Sequence, residues 1–276
     1  MPKRWTKKEE SFYRTQIRIL YINQNKTISE IAKILNIGES SVGKRLHRLG
    51  IETVPTTKLH YCNRRTDVVV PSNRSNDLAE FFGIMLGDGH LTSSQVCVTL
   101  GTKEISYARH VAHLYQRLFG VLPRVSVSRK GYVGVCLSSV IASKWLSSEG
   151  LVYNKVKSQV DVPGWVFRRK IWIARCVRGF FDTDGSIYSL RFGIQLSFTN
   201  ASRPLLSSLQ RALKQLLYKV SEISGPRFYI TRFEDIERFF TEIGPQNKKH
   251  LERYRAILQS RRRLSAGDGV VNRSAL

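Results

Sequence analysis

The sequence predicts an α+β protein: a small all-α domain followed by two pseudo-symmetric repeats, each reading helix-strand-strand-helix-strand-strand-helix (αββαββα). Three observations predict it. An apolar, glycine-bearing stretch closed by Asp-Gly occurs twice, as "LAEFFGIMLGDGHL" and "WIARCVRGFFDTDGSI", with Asp88 and Asp184 standing 96 residues apart. The same succession of apolar periods follows each copy, which unrelated filler would not do. Residues 1–58, by contrast, carry helical periods only.

Taken in order, "KKEESFYRTQIRILYINQN" places Phe12, Ile17, Ile19, Leu20 and Ile22 on a broadly apolar helix face. Ser29-Glu30 is expected to open a second helix with Ile31, Ala32, Ile34 and Leu35 apolar. "NIGES" reads as a tight turn, and Ser40 or Ser41 begins a third helix with Val42, Leu46 and Leu49 inward. Residues 59–76 are polar, with Pro71 and no helical period, and read as a linker.

In the first repeat (77–170) a short strand near His90–Thr92 and a strand over Gln95–Leu100 precede a helix over Glu104–Phe119. Strands at Arg124–Ser128 and Tyr132–Leu137 and a helix over Ser139–Glu149 follow. In the second repeat (171–260) the short strand falls near Ser186–Tyr188, the next over Arg191–Thr199, and the helix over Arg203–Tyr218. Val220–Ser224 and Arg227–Thr231 are expected to form a hairpin around Gly225-Pro226, with Phe233–Ile243 helical. Residues 261–276 read as a flexible basic tail, whose "GDG" lacks a preceding apolar helix.

Strand alternation assigns faces. Val96, Val98 and Leu100 belong on the helix-covered side, as do Phe192, Ile194, Leu196 and Phe198. Gln95, Cys97 and Thr99, then Arg191, Gln195, Ser197 and Thr199, then Arg227 and Tyr229, point the other way. A sheet face bearing such groups offers hydrogen bonds to base edges and phosphates.

Charge narrows the partners. Lys and Arg number 45 against 21 acids, a net charge of +24. Such an excess favours a polyanion, with nucleic acid first. No run of about 18 apolar residues exists to span a membrane. The opening "MPKRWTKKEE" lacks a signal-peptide core. Cys62, Cys97, Cys136 and Cys176 are scattered without a CxxC pair. They are expected to be reduced thiols of an intracellular, non-secreted protein.

The chemistry lies in the repeated acids. Gly83 and Gly87 are four apart, as are Gly179 and Thr183, and small residues at that spacing let two helices approach closely. Both helices would end together, with Gly89 and Gly185 suited to left-handed caps. Asp88 and Asp184 would then sit side by side at helix C-termini, where both the dipoles and each other's charge oppose them. A divalent cation ligated by oxygen makes that arrangement favourable. The carbonyls of Gly87 and Thr183 are candidates to complete its shell.

"FFGIMLGDG" and "VRGFFDTDG" together resemble the LAGLIDADG homing endonucleases in their single-chain, two-repeat form, over about residues 77–255. Both copies match at the third-position Gly, the eighth-position Asp and the final Gly. The sixth-position acid is kept as Asp182 and replaced by Leu86. "GLVYNKVKSQVDVPGWV" and "EIGPQNKKHLERY" are also similar to the family. The resemblance implies β-saddles straddling double-stranded DNA in the major groove. Asp88 and Asp184 would bind Mg²⁺ or Mn²⁺, and a monomer would make a double-strand break at a long asymmetric site by two-metal hydrolysis. It further implies ordered water near Lys103 and Asn200, and phosphate contacts from Lys155, Lys248 and Arg124. The N-terminal helices resemble a helix-turn-helix, in which Ser40, Lys44, Arg45 and Arg48 would meet the groove or backbone. Twelve Lys and Arg against five acids over residues 1–58 suit that role. An inactive regulator built on the same scaffold, or an RNA maturase with intron RNA as partner, stays open at this point. Intein splicing is not expected, for want of the terminal Cys or Ser and His-Asn.

Overall fold

The computed structural model describes residues 6–24, 26–51, 67–155, 157–191 and 193–267. The readings made on 59–66, on Phe192 and on the tail past 267 lie outside them. The chain divides into two compact units, Met1–Arg64 and Arg65–Leu276.

The first unit holds helices α1 (Lys7–Arg18), α2 (Ile28–Leu35) and α3 (Glu39–Arg48). Reciprocal side-chain caps start two of them. Thr6 and Glu9 open α1, and Thr27 and Glu30, rather than Ser29, open α2. Asn36, with φ at 50°, ends α2 in the left-handed conformation that Asn tolerates. Ile17, Leu20, Tyr21, Ile31, Ala32, Val42 and Leu46 form the core. Phe12, Ile19, Ile22 and Ile34 do not join it. The reason for Ile19 and Ile22 is local: after Arg18 the chain widens into a π-type turn over Ile19–Asn23, so the 3.6-residue period stops applying there.

The second unit is built on two long apolar helices, α4 (Asn76–Leu86) and α7 (Lys170–Asp184). After α4 come β1 (Gly89–Leu91), β2 (Gln95–Gly101), α5 (Ile105–Phe119), β3 (Arg124–Ser128), β4 (Tyr132–Ser138) and α6 (Val140–Ser148). After α7 come β5 (Gly185–Leu190), β6 (Gly193–Thr199), α8 (Arg203–Gln215), β7 (Arg227–Ile230), α9 (Phe233–Arg238) and α10 (Lys248–Gly267). The first sheet is antiparallel in the order β1-β2-β4-β3, and the second in the order β5-β6-β7. One core fills both repeats, with aromatic contacts such as Phe81 on Tyr115 at 4.8 Å and Phe181 on Phe239 at 4.8 Å. Burying each such ring contributes about 2–3 kcal/mol.

The two sheets differ in one strand. Val220–Ser224 is not a strand; a lone bridge joins Ser224 to Arg227. The Ser221 N–H still donates to the Tyr229 carbonyl at 2.8 Å, but side chains take the other groups a ladder would use: Gln210 donates to the Ser221 carbonyl at 2.8 Å, and the Ser221 hydroxyl accepts the Tyr229 N–H at 3.0 Å.

Faces follow the alternation in β2, where Val96, Val98 and Leu100 are buried and Gln95 and Thr99 exposed. In β6, Ile194, Leu196 and Phe198 are buried as expected, but so is Ser197, at 1% exposure. It lies mid-sheet between Ser186 and Tyr229 and shares a hydrogen bond with Thr199 at 3.2 Å.

The cysteines correct another expectation. Cys97 and Cys136 are opposed in the β2–β4 register and joined as a disulfide, though 39 residues apart in sequence. Only strand pairing could reveal that neighbourhood. Cys176 is a free, buried thiol.

Candidate active site

Helices α4 and α7 touch backbone to backbone. A Cβ added at Gly83 would overlap the Cys176 carbonyl, and one at Gly179 the Glu80 carbonyl. The crossing therefore requires glycine at both points. Beside it lies a buried charged group. Glu80 on α4 pairs with Arg178 on α7, with His110 on α5 at 2.7 Å, and with Arg175 at 3.9 Å. Burial alone would raise the Glu80 pKa, but the hydrogen bond from His110 and the charge and hydrogen bond of Arg178 outweigh it and hold the carboxyl ionised.

With the helices fixed, their C-termini converge. Gly87 packs on the Thr183 hydroxyl, and a Cβ there would stand 3.5 Å from the Asp184 carboxyl carbon. Asp184 is the last residue of α7, and Asp88 follows the end of α4 by two. Gly89 and Gly185 do not adopt positive φ, contrary to the cap expectation. They start β1 and β5, where a side chain would strike Met85 and Phe181 respectively.

The environment disfavours both charges. Burial, then the Asp184 charge, push Asp88 up to about 6. Burial likewise raises Asp184, against an opposing hydrogen bond from Asn200 Nδ2 at 2.9 Å. Two hard oxygen ligands that repel each other at two helix ends are a donor set suited to Mg²⁺, which takes one or two carboxylates and fills the rest with water and phosphate oxygens. Among the described residues no group of three or more His, Cys, Asp or Glu is placed to hold a metal ion. The Thr183 hydroxyl is turned back to the Gly179 and Phe180 carbonyls.

The basic residues fall unequally. Lys155 reaches the site, with its ammonium on the Met85 carbonyl at 3.1 Å, on that of Leu86 at 3.3 Å and on that of Gly87. Burial lowers its pKa while Asp184 and Asp88 oppose that shift. Lys103 and Lys248 are exposed. Their neighbours go there instead: Lys249 Nζ lies 2.8 Å from Glu104 Oε1, and Lys249 and Glu104 both act electrostatically on Asp88. Glu104 stands 16 residues after Asp88, as Asn200 stands 16 after Asp184. That matched offset was the available signal for Glu104, whereas nothing in the sequence marked Lys249 over Lys248.

On the outward faces Gln95, Thr99, Arg124 and Arg227 are exposed, Gln195, Thr199 and Tyr229 half-buried, and Arg191 lies in the exposed β5–β6 turn. Ser197 is too covered to contact a partner as it stands. A cavity of about 540 Å³ joins Asp184, Asn200, Lys155 and Arg227, and another of about 510 Å³ joins Lys103, Glu104, Lys249 and Arg253. In the first unit Ser40, Lys44 and Arg48 are exposed on α3. Arg45 is turned inward, 3.0 Å from Glu10 Oε2, and ties α3 to α1 rather than facing outward.

Residues 172–244, within the second repeat, match the model of the LAGLIDADG-like domain. The replication factor C small subunit of Thermococcus kodakarensis is 28% identical over 185 residues, covering 64% of this chain and 20% of that protein. The isomerizing glutamine–fructose-6-phosphate aminotransferase of Methanocaldococcus jannaschii is 24% identical over 251 residues, covering 86% of this chain and 22% of that protein. The chain thus spans about a fifth of the length of these curated relatives. Among solved structures, the N-terminal LAGLIDADG domain of DUF199/WhiA is similar with a TM-score of 0.45 and 19% identity, covering 65% of this chain and 88% of that one. I-DmoI in complex with DNA and Mn is similar with a TM-score of 0.46 and 16% identity, covering 62% and 98%. No helix among the described residues is long and apolar enough to cross a membrane.

Proposed function

We propose that the protein is a homing-type DNA endonuclease, hydrolysing phosphodiesters of both strands of a long asymmetric duplex target with Mg²⁺ or another divalent cation. The observation that carries the reading is the pairing of Asp88 and Asp184 at the ends of two glycine-packed helices, where burial raises both carboxyls and the Asp184 charge raises Asp88 further. A bound cation would lower the pKa of the attacking water and stabilise the negative charge that develops on the leaving oxygen. In this reading the chain's own residues hold and orient: Asn200 fixes the Asp184 carboxylate, Lys155 carries positive charge to the α4 terminus, and the outward sheet faces seat the duplex. The α3 helix, with Lys44 and Arg48, extends the footprint in the manner of a helix-turn-helix.

The curated relatives support a mobile element. Two proteins whose names describe unrelated activities share most of this chain as only a fifth of their length. Intron-encoded and freestanding origins both fit.

The deciding experiment is selection of cleaved molecules from a randomised duplex pool with Mg²⁺. Recovered double-strand breaks support the nuclease. Specific binding without any cutting would leave the inactive-regulator reading in its place, and splicing assistance on an intron RNA would establish the maturase.

A further inference from the structure

Asp182 is the motif acid to which the metal reading gives no task. It is fully buried, and its carboxylate accepts the Gln246 N–H at 2.9 Å and the Asn247 N–H at 3.0 Å. Its own carbonyl accepts the Asn247 side-chain amide at 2.9 Å. The same amide nitrogen donates to Glu104 Oε1 at 2.6 Å, and Lys249 meets that oxygen two residues later. A continuous run of contacts thus leads from inside α7, through residues 246–249, across to the first repeat and the carboxylate next to Asp88.

The first repeat is built otherwise. Leu86 stands in the place of Asp182 and cannot hold the equivalent "NK" segment. That segment is secured by Lys155, whose ammonium sits on the carbonyls ending α4. A buried carboxyl group whose two oxygens each accept a backbone N–H is a stiff clamp, because both hydrogen bonds are shielded from water.

We infer that Asp182 is a positioning residue: by clamping residues 246–249 it sets Asn247 and Lys249 on Glu104, and so governs cutting at the Asp88 half-site far more than at the Asp184 half-site. The inference rests on the nuclease reading. It makes the two cuts separable, with the Asp88 cut controlled from the second repeat.

The test uses the full chain on its selected duplex, with each strand labelled separately. Asp182→Leu, which copies the first repeat, should slow one strand about 100-fold, the scale expected when a site group is displaced by about 1 Å. The other strand should change by less than about threefold, so that nicked duplex accumulates. Glu104→Gln should slow the same strand, and Asn200→Ala the opposite one. Asp182→Asn keeps one acceptor oxygen and should fall between wild type and Asp182→Leu. Asn247→Leu removes the link while leaving Asp182 in place, and reports if Asp182→Leu does not fold. Amide exchange of the metal-free protein supplies a readout apart from cutting. In Asp182→Asn, protection should drop at Gln246 and Asn247 and persist at α4 and α7. Equal slowing of both strands by Asp182→Leu and Asn247→Leu, or unchanged protection at 246–247, overturns the inference while the nuclease stands. A wild-type protein that cuts neither strand removes the nuclease reading and this inference together.

Discussion

The two repeats end their motif helices on different chemistry. In the first, α4 finishes on carbonyls covered by the Lys155 ammonium, and the adjoining strands carry the Cys97–Cys136 disulfide. In the second, α7 finishes with the buried Asp182 clamp and an Asn247 amide, and its sheet is one strand short. Near-identical topology has thus been closed twice with unlike side chains, which teaches that repeated backbone does not imply repeated chemistry.

The sharpest way to break the comparison is at the acids themselves. Asp88→Asn and Asp184→Asn are each expected to reduce double-strand cleavage by about 10³-fold or more, since a metal ligand is worth several kcal/mol in the transition state. Gel analysis of linear product checks this, and full cutting by either variant rejects the shared site. Next in size is the buried pair that joins the repeats. Arg178→Met leaves Glu80 without its nearest cation and should cost about 3–5 kcal/mol in denaturant unfolding. A loss below about 1 kcal/mol would mean that His110 and Arg175 suffice.

The disulfide belongs to one repeat alone. Reduction, or Cys97→Ser, should cost about 2–4 kcal/mol for the loop it closes, with a lower unfolding midpoint in reductant. Equal midpoints would show that β2 and β4 gain nothing from the link. Gly179→Ala, which forces α7 away from the Glu80 carbonyl, should cost about 1–3 kcal/mol and weaken cutting of both strands.

The smallest effect is the pH dependence of the metal-free protein. Asp88 is raised from 3.8 to about 6 and Asp182 to about 7. Raised folded values mean that the folded state binds these protons more tightly. Their contribution is complete below about pH 4 and is lost as pH rises through 6 to 7. If Mg²⁺ takes the place of the proton on Asp88, the gain in melting temperature on adding it should be larger at pH 8 than at pH 5. An equal gain at both would place the cation elsewhere. DNA affinity should fall steeply with salt for so basic a chain.

Much of the fold was legible because its signals are local. The period of two in "QVCVTL", the 3.6-residue period and left-handed terminal Gly120 of the helix through Phe119, and the doubled glycine-acid motif each depend on neighbours within a few residues. Where neighbours had taken over the hydrogen bonds, the reading failed: Gln210 claimed the Ser221 carbonyl and removed a strand. It also failed where a helix changed its pitch, at Ile19 and Ile22. In the candidate site, the paired acids were visible because they recur at a fixed offset. Lys249, Asn247 and Glu104 were not, since their meeting depends on segments 143 residues apart in sequence.

By itself the sequence determined the repeat, the places where the motif helices must touch, and the acids those helices carry. Spacing along one chain is enough to encode each of these. The tertiary structure decided which lysine faces which acid, which cysteines pair, and that Asp182 grips a loop rather than a ligand. These are contacts between segments distant in sequence, and their partners exist only once the two helices have packed.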